Sequence, residues 1–290
     1  MPDTRTAVWL SHSSIGDYLK CPRAYYLKNL YKNPKTGRKL ALMQPALALG
    51  QAVHTVLESL QDLPVDVRLN DSLLDKYEDV WKKVSGKWGG FTDTTEEEGY
   101  KKRGREMLER VEKHPGPLLN KALRIPEDSM MIKGLPSFYL SEAENIILCG
   151  KIDWLEYLPE TDSVHILDFK TGKHEEKAGS LQLPIYHLLV KNCQKRVVTK
   201  ASYWYVDSKD APTQVTLPDL ATSEKQVMDV ALSVKLAREK RLFDCPRGGC
   251  FACTPYEEII DGKAEYVGVD TEMNKEVYIS GSGEQDDEPF

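Results

Sequence analysis

Residues 164–170, Val-His-Ile-Leu-Asp-Phe-Lys, constrain the fold of this chain more than any other segment. Successive side chains of a β-strand point to opposite faces of the sheet. Val164 and Ile166 therefore point to one face, and Leu167 and Phe169 point to the other. A strand that is apolar on both sides is typical of the centre of a sheet that is covered on both faces. The segment therefore predicts a buried central strand with structure packed above and below it.

Two charged residues lie at the end of this strand. Asp168 and Lys170 share a face and lie about 7 Å apart along the backbone. The preceding apolar run ends at Asp153, and the turn-forming residues 158–163 connect it to the strand. We therefore predict a hairpin that brings Asp153 beside Asp168 and Lys170. Two carboxylates and an ammonium on one surface can bind a hard divalent cation and place a water against a phosphodiester.

The alternative is an edge hairpin on which these three side chains simply face solvent. The apolar residues on both faces of the strand argue against it, because unpaired charge is very costly to bury. Charged groups at the end of a buried strand need partners, and a bound cation is one way to supply them.

The cysteines indicate a second site. Three of the six lie close together in the order C-x4-C-x2-C, and Cys21 is the obvious fourth ligand; the three are Cys245, Cys250 and Cys253. Four thiolates suit zinc or an iron–sulfur cluster, and the spacing alone slightly favours zinc. Cys149 and Cys193 lie in apolar contexts, and we predict that both are buried thiols.

The charge is unevenly distributed along the chain. The net charge is −6, but residues 281–290 are acidic and are expected to be disordered. Between Tyr18 and His54 there is no acid. That stretch carries seven bases, namely Lys20, Arg23, Lys28, Lys32, Lys35, Arg38 and Lys39. We predict that they contact the phosphates of a nucleic acid, although a solvated helix face followed by a loop is the alternative.

Size and hydropathy indicate one integrated domain with insertions. We divide it into a helical region over 1–135, a core over 136–215, a helix and cysteine-rich segment over 216–260, and a short extension over 261–290. The chain lacks a run of about 18 apolar residues and a signal-peptide pattern at its start, so we expect a soluble cytoplasmic protein with no membrane partner.

Local patterns place the other candidate residues. A helix is predicted over 12–31, capped by Ser13 or Ser14, and Pro22 permits a break or a second helix start within it. A basic loop with freedom to move is predicted over 32–45. A helix over 50–62 has His54 at the edge of its apolar stripe. In a helix over 180–193, Gln182 and Tyr186 are four residues apart and share a face.

Five of these segments, in this order, resemble the PD-(D/E)XK nuclease superfamily, and within it the RecB-like exonucleases, including the CRISPR-associated and AddB-type members. They are the Ser-Ser-Ile-Gly-Asp-Tyr-Leu-Lys-Cys-Pro-Arg of 13–23, GQAVH of 50–54, GKID of 150–153, ILDFKTGK of 166–173 and LQLPIY of 181–186. The resemblance implies an α/β, restriction-endonuclease-like fold: a central mixed sheet flanked by helices, with an N-terminal helical region and a C-terminal cysteine-rich staple.

The resemblance also implies roles for individual residues. Asp153 and Asp168 would bind Mg2+ or Mn2+, with His54 and the backbone carbonyl of Phe169 as further ligands. Lys170 would orient or activate the attacking water, while Gln182 and Tyr186 would position the DNA strand. The pairing of Cys21 with the late cysteine trio resembles the [4Fe–4S] site of the iron–sulfur members. Some of these members, however, space the late trio differently.

The resulting hypothesis is a metal-dependent DNA exonuclease that acts on single strands or DNA ends in DNA repair, recombination or CRISPR adaptation. One rival is an inactive, nuclease-like DNA-binding subunit of a helicase or CRISPR complex. Because every residue of the implied active site is present, the active enzyme is favoured. A second rival is a zinc-stapled protein that acts on RNA, since the preference for DNA rests on the resemblance.

Overall fold

The computed structural model describes residues 3–125, 131–132 and 135–280. The helices of this part of the chain are α1 His12–Lys20, α2 Pro22–Tyr25, α3 Pro45–Ser59, α4 Leu73–Val84, α5 Thr94–Lys113, α6 Gln182–Cys193, α7 Leu220–Lys240 and α8 Thr254–Ile260. The strands are β1 Val8–Leu10, β2 Lys39–Met43, β3 Met131–Ile132, β4 Leu135–Ser141, β5 Ile146–Cys149, β6 Trp154–Leu158, β7 Ser163–Lys170, β8 Val198–Tyr205, β9 Thr213–Val215, β10 Glu265–Asp270 and β11 Lys275–Ile279.

The central sheet has the strand order β6-β7-β8-β9. Strands β6 and β7 form the predicted antiparallel hairpin, in which Trp154 lies opposite Leu167. Strand β8 pairs with the other edge of β7 in parallel, with Ala201 opposite Ile166. Helix α6 makes the crossover between these parallel strands, as parallel pairing requires. The sheet is therefore mixed, and β7 lies in its interior.

Each face of β7 packs into its own apolar core, which confirms that the strand is buried on both sides. On one face, Ile166 packs with Leu155 and Ala201 in a core that includes α6 and α7. On the other face, Leu167 packs with Trp154 and Trp204 in a core that includes α3, α4 and α5. Helices cover both faces of the sheet, and the charged end of β7 lies between the two cores.

The described strands form three sheets rather than one. A second sheet has the order β1-β5-β4-β3, and a third has the order β10-β11-β2. The chain does not continue as one strand from β5 into β6, because the ladder is interrupted at residues 150–153. At that point the amide of Phe169 donates to the carboxylate of Asp153, not to a strand carbonyl. The Asp153 side chain thus replaces a backbone hydrogen bond between the two strands.

The N-terminal region corrects two local predictions, the cap of α1 and the loop over 32–45. The cap of α1 is Ser11, not Ser13 or Ser14, because Ser11 and Ser14 form a reciprocal capping box. The helical region 12–31 breaks at Cys21 and starts again at Pro22, as the sequence allowed, and it ends in a π-helical turn, Tyr26–Leu30. The segment 32–45 is not a loop throughout, because β2 occupies Lys39–Met43 and α3 begins at Pro45.

The C-terminal residues return to the N-terminal region. Strands β10 and β11 form an antiparallel hairpin, and β11 pairs in parallel with β2, with Val277 opposite Ala41. This pairing makes the segment after 261 part of a sheet, which the prediction of a short extension did not include. The expected acidic tail, 281–290, lies outside the described residues.

Candidate functional site

The β6–β7 hairpin brings the predicted acids together. Asp153 lies immediately before β6, and its Oδ2 accepts a hydrogen bond from the amide of Phe169 at 2.9 Å. Both Asp153 and Asp168 are buried, with exposures of 6% and 2%. The two carboxylates therefore sit in a low-dielectric position where an unneutralised pair is unfavourable.

Helix α3 adds two side chains that can bind a metal, and they lie on successive turns. His54 Nδ1 lies 3.4 Å from Asp153 Oδ2 and 3.7 Å from Glu58 Oε1. The helix approaches β7 closely at Gly50, where an added Cβ would lie 3.2 Å from Thr171 Oγ1. This close approach places the turn that carries His54 beside Asp153.

Glu58 was not predicted from the sequence. His54, Glu58 and Asp153 each offer a ligand atom, and these atoms lie within 4.8 Å of one another. The sequence signal that could have found Glu58 is its spacing from His54, because residues four apart on a helix share a face. Lys151 forms an ion pair with the Glu58 carboxylate.

The Asp168 carboxylate contacts Lys170 of the same strand and Gln182 of helix α6. Its Oδ1 accepts a hydrogen bond from Gln182 Nε2 at 2.9 Å. Its buried Oδ2 lies 3.0 Å from Lys170 Nζ, an ion pair that does not meet hydrogen-bond geometry, and no donor among the described residues hydrogen-bonds to it. A buried carboxylate oxygen without a hydrogen-bond donor, beside a second buried carboxylate, suits a cation.

Helix α6 places Gln182 and Tyr186 at the same centre. The Gln182 carbonyl accepts from Lys170 Nζ, and its amide group donates to Asp168 and, at 3.3 Å, to the Tyr186 hydroxyl. Gln182 therefore links the charged end of β7 to α6. The roles of Gln182 and Tyr186 toward a DNA strand, and that of the Phe169 carbonyl toward a metal, stay predictions.

The electrostatics of the site reflect an excess of buried negative charge. Burial raises the pKa of Asp168, and the neighbouring Asp153 carboxylate raises it further, to about 7. Burial by itself lowers the pKa of His54, but the carboxylates of Asp153 and Glu58 outweigh burial and raise it to about 10. One carboxylate thus tends to hold a proton and the imidazole tends to be charged. A divalent cation would supply that positive charge directly, and the oxygen and imidazole donors present suit Mg2+ or Mn2+.

The four predicted cysteines come together at a second position. The Sγ atoms of all four lie within 4.8 Å of one another, those of Cys21, Cys245, Cys250 and Cys253. Gly248 and Gly249 adopt positive φ angles of 66° and 136°, which let the chain turn back between the late cysteines. The group packs in a third core, in which Ala24 and Leu27 follow Cys21 and Leu40 and Leu42 come from β2.

The remaining two cysteines lie outside this group. Cys193 is buried, as predicted, but Cys149 is only partly buried, so the prediction for Cys149 was wrong. Cys149 is the last residue of β5, where the ladder ends and the side chain is less covered.

The seven bases of the segment between Tyr18 and His54 differ in their contacts and in their exposure. Arg23 forms an ion pair with Glu257 of α8 at 2.8 Å, Lys28 forms one with Asp17 at 2.9 Å, and Arg38 donates to Asn274 at 3.1 Å. Lys39 is half-buried on β2, while Lys20, Lys32 and Lys35 are exposed. At least three of the seven predicted DNA contacts therefore already join parts of the protein to one another, and DNA contact by any of the seven stays a prediction.

The comparison with protein families gives the geometry a context. A family model described as the PD-(D/E)XK nuclease superfamily matches residues 9–258, which is most of the chain. The chain belongs to the PD-(D/E)XK nuclease superfamily. The matched region contains all four cysteines and every candidate active-site residue. A search of curated proteins found no match.

Membership implies a metal-dependent nuclease that binds DNA. In the described ranges, 3–125, 131–132 and 135–280, no helix is both long and apolar enough to cross a bilayer. The four-cysteine group is able to hold a metal.

Proposed function

We propose that this protein is a metal-dependent DNA exonuclease of the RecB-like branch, acting on single-stranded DNA or DNA ends. The observation that carries the proposal is the convergence of Asp153, Asp168 and Lys170 at one end of a buried hairpin, with His54 and Glu58 facing them from α3. DNA repair, recombination or CRISPR adaptation are the processes that such an activity would serve.

In this proposal Asp153, His54 and Glu58 hold the cation, and Asp168 contributes its buried Oδ2. The cation supplies polarisation of the phosphodiester and a lowered pKa for bound water. Glu58 is a ligand in addition to those implied by the resemblance, supported by its distance to His54 and Asp153. The Phe169 carbonyl stays a predicted further ligand.

Lys170 acts as a cation rather than as a base. Burial tends to lower its pKa, but the carboxylates of Asp168 and Glu176 outweigh burial and raise it. The side chain therefore stays an ammonium that can orient the attacking water and offset negative charge on the phosphate in the transition state. Gln182 bonds both Lys170 and Asp168 and holds them in one arrangement.

The test compares Asp168→Asn and Lys170→Ala with wild type on end-labelled single-stranded DNA in Mg2+ or Mn2+. We expect cleavage to fall by at least about 100-fold in each variant, because both groups act on the reaction itself, while DNA affinity measured in Ca2+ stays within severalfold. Glu160→Gln is the matched control, since this exposed acid lies at the opposite end of the same hairpin.

Two outcomes would contradict the proposal. If folded Asp168→Asn protein cleaves DNA at the wild-type rate, the assignment of the active site is wrong. DNA binding without cleavage by metal-loaded wild type would favour the inactive subunit of a helicase or CRISPR complex.

We also propose that the four-cysteine group holds a [4Fe–4S] cluster. Support comes from the four sulfur atoms within 4.8 Å and from the resemblance to iron–sulfur RecB-like nucleases. Protein purified without oxygen should be brown and contain about four irons per chain. A colourless preparation with one zinc per chain would show that the site is a zinc site.

A further inference from the structure

The ammonium of Lys170 contacts a third residue besides Asp168 and Gln182 of the candidate active site. Its Nζ donates to Gln182 Oε1, lies 3.0 Å from Asp168 Oδ2 and lies 2.9 Å from Glu176 Oε2. One hydrogen bond and two ion pairs from three directions hold the ammonium in one place. Glu176 is the one of these three partners that neither the motif nor the sequence analysis included.

Glu176 is held in place by its own surroundings. It lies in the connection between β7 and α6, and its side chain is 22% exposed. Its backbone amide donates to the Tyr205 hydroxyl at 3.0 Å, which anchors this part of the connection to β8. A carboxylate fixed at its backbone can direct a flexible lysine, whose four-carbon stem otherwise samples many rotamers.

The two carboxylates at Lys170 differ in their other partners. Asp168 lies beside Asp153 at the proposed cation site, and charge shared with a cation is no longer fully available to an ammonium. Glu176 belongs to no metal-ligand group found among the described residues. Its carboxylate therefore remains available to Lys170 whatever Asp168 binds.

We propose that Glu176 is a positioning residue that holds the Lys170 ammonium at the scissile phosphate, and that it is the carboxylate on which Lys170 depends once Asp168 ligates the cation. This inference rests on the proposed nuclease function, because it concerns the same site. Glu176 acts through Lys170 and touches no reacting atom.

The first test measures Lys170 itself, without metal or DNA. Lysines of folded protein are acylated by a small amine-reactive reagent, and the rate at Lys170 is followed by peptide mass spectrometry. The reagent can approach, because Glu176 and Tyr203 line an open cavity of about 540 Å3 and the Tyr203 ring centroid lies 5.1 Å from Lys170 Nζ. We expect modification at Lys170 to be severalfold faster in Glu176→Ala and close to wild type in Glu176→Gln, which keeps an acceptor.

The second test measures cleavage of single-stranded DNA in Mg2+ or Mn2+. Glu176→Ala should lower kcat by about 10- to 100-fold with KM within twofold, because misplacement of a reacting group costs rate rather than affinity. Glu176→Gln should recover a large part of kcat. A purely structural role would instead lower the melting temperature and change kcat and KM without rescue by glutamine.

Glu175→Ala is the matched control. This neighbouring carboxylate is 70% exposed and lies 3.6 Å from Lys209 Nζ. It should leave both the labelling rate at Lys170 and kcat unchanged.

The outcomes separate this inference from the proposed function. Equal labelling of Lys170 in wild type and Glu176→Ala, or equal kcat, would refute the role of Glu176 even in an active nuclease. If wild type fails to cleave DNA, the proposed function fails, and with it the claim that Glu176 serves catalysis, whatever the labelling shows.

Discussion

Replacing Cys21 with serine should detach the N-terminal helices from the C-terminal segment. Cys21 lies at the junction of α1 and α2, is 1% exposed, and places its Sγ within 4.8 Å of the sulfur atoms of Cys245, Cys250 and Cys253. A metal or cluster held by all four sulfurs would crosslink residues that are far apart in the chain. The substitution removes the early end of that crosslink.

The magnitude follows from the length of the closed loop. Residues 21 and 245 are 245 − 21 = 224 positions apart, and loop-closure entropy gives a crosslink of that span about 5 kcal/mol of stabilisation. Because whole domains are stable by only about 5–15 kcal/mol, this loss is a large fraction of the total. In guanidinium chloride it corresponds to a midpoint lowered by about 1 M.

The assay is denaturant unfolding of protein purified without oxygen, followed by circular dichroism, together with metal analysis and limited proteolysis. Early cleavage should occur in the connection 32–37, because β2 begins at Lys39 and is paired with β11. Pairing with β11 should protect residues 39–43, so that the protease cleaves them later than the connection.

Cys193→Ser is the control, because Cys193 is buried but lies outside the four-cysteine group. Its thiol points to the Ser137 carbonyl at 3.6 Å, an acceptor that a hydroxyl can also use. This variant should keep the wild-type metal content. If Cys21→Ser keeps its metal and unfolds at the wild-type midpoint, Cys21 is not a ligand and the crosslink argument is wrong.

Three further predictions concern other parts of the molecule. Glu58→Gln should weaken Mn2+ binding by about tenfold or more in calorimetry, since it removes a charged oxygen donor; unchanged affinity would exclude Glu58 as a ligand. His165→Ala should lower the free energy of unfolding by about 3 kcal/mol, because it leaves the buried Glu156 carboxylate without the imidazole that lies 2.6 Å away. Denaturant unfolding measures this free energy, and a loss below about 1 kcal/mol would contradict the prediction. Replacing both Lys32 and Lys35 with alanine should reduce the slope of log affinity against log salt concentration by about 1.4 for single-stranded DNA, with no change in melting temperature. An unchanged slope would show that these two lysines do not contact the DNA.

The hairpin at the centre of the site was predictable because it depends on local rules. Alternation with a period of two identified β7 as buried on both faces, and the turn formers before it predicted the pairing with β6. Once that hairpin forms, its register brings Asp153 close to Asp168 without further information. The same holds for Gln182 and Tyr186, which share a helix face because they are four residues apart.

The partners of those residues depend on contacts between distant segments. Glu58 shares a helix face with His54, but it reaches Asp153 through the close packing of α3 against β7 at Gly50. Glu176 lies in a connection that is anchored to β8 by the hydrogen bond of its amide to Tyr205. Neither contact leaves a periodic signal in the sequence. Similarly, β2 was taken for part of a loop because its partner, β11, lies more than 200 residues further along the chain.

The basic segment shows the same division most clearly. Its composition, seven bases without an acid, is a property of the sequence alone. Which of these bases remain available to a polyanion was decided by folding, which placed Asp17 beside Lys28 and Glu257 beside Arg23. Local periodicity determines which side chains of one helix or strand share a face. The carboxylates that pair with Arg23 and Lys28 come from other segments, and only the packing of the whole chain determines which ones.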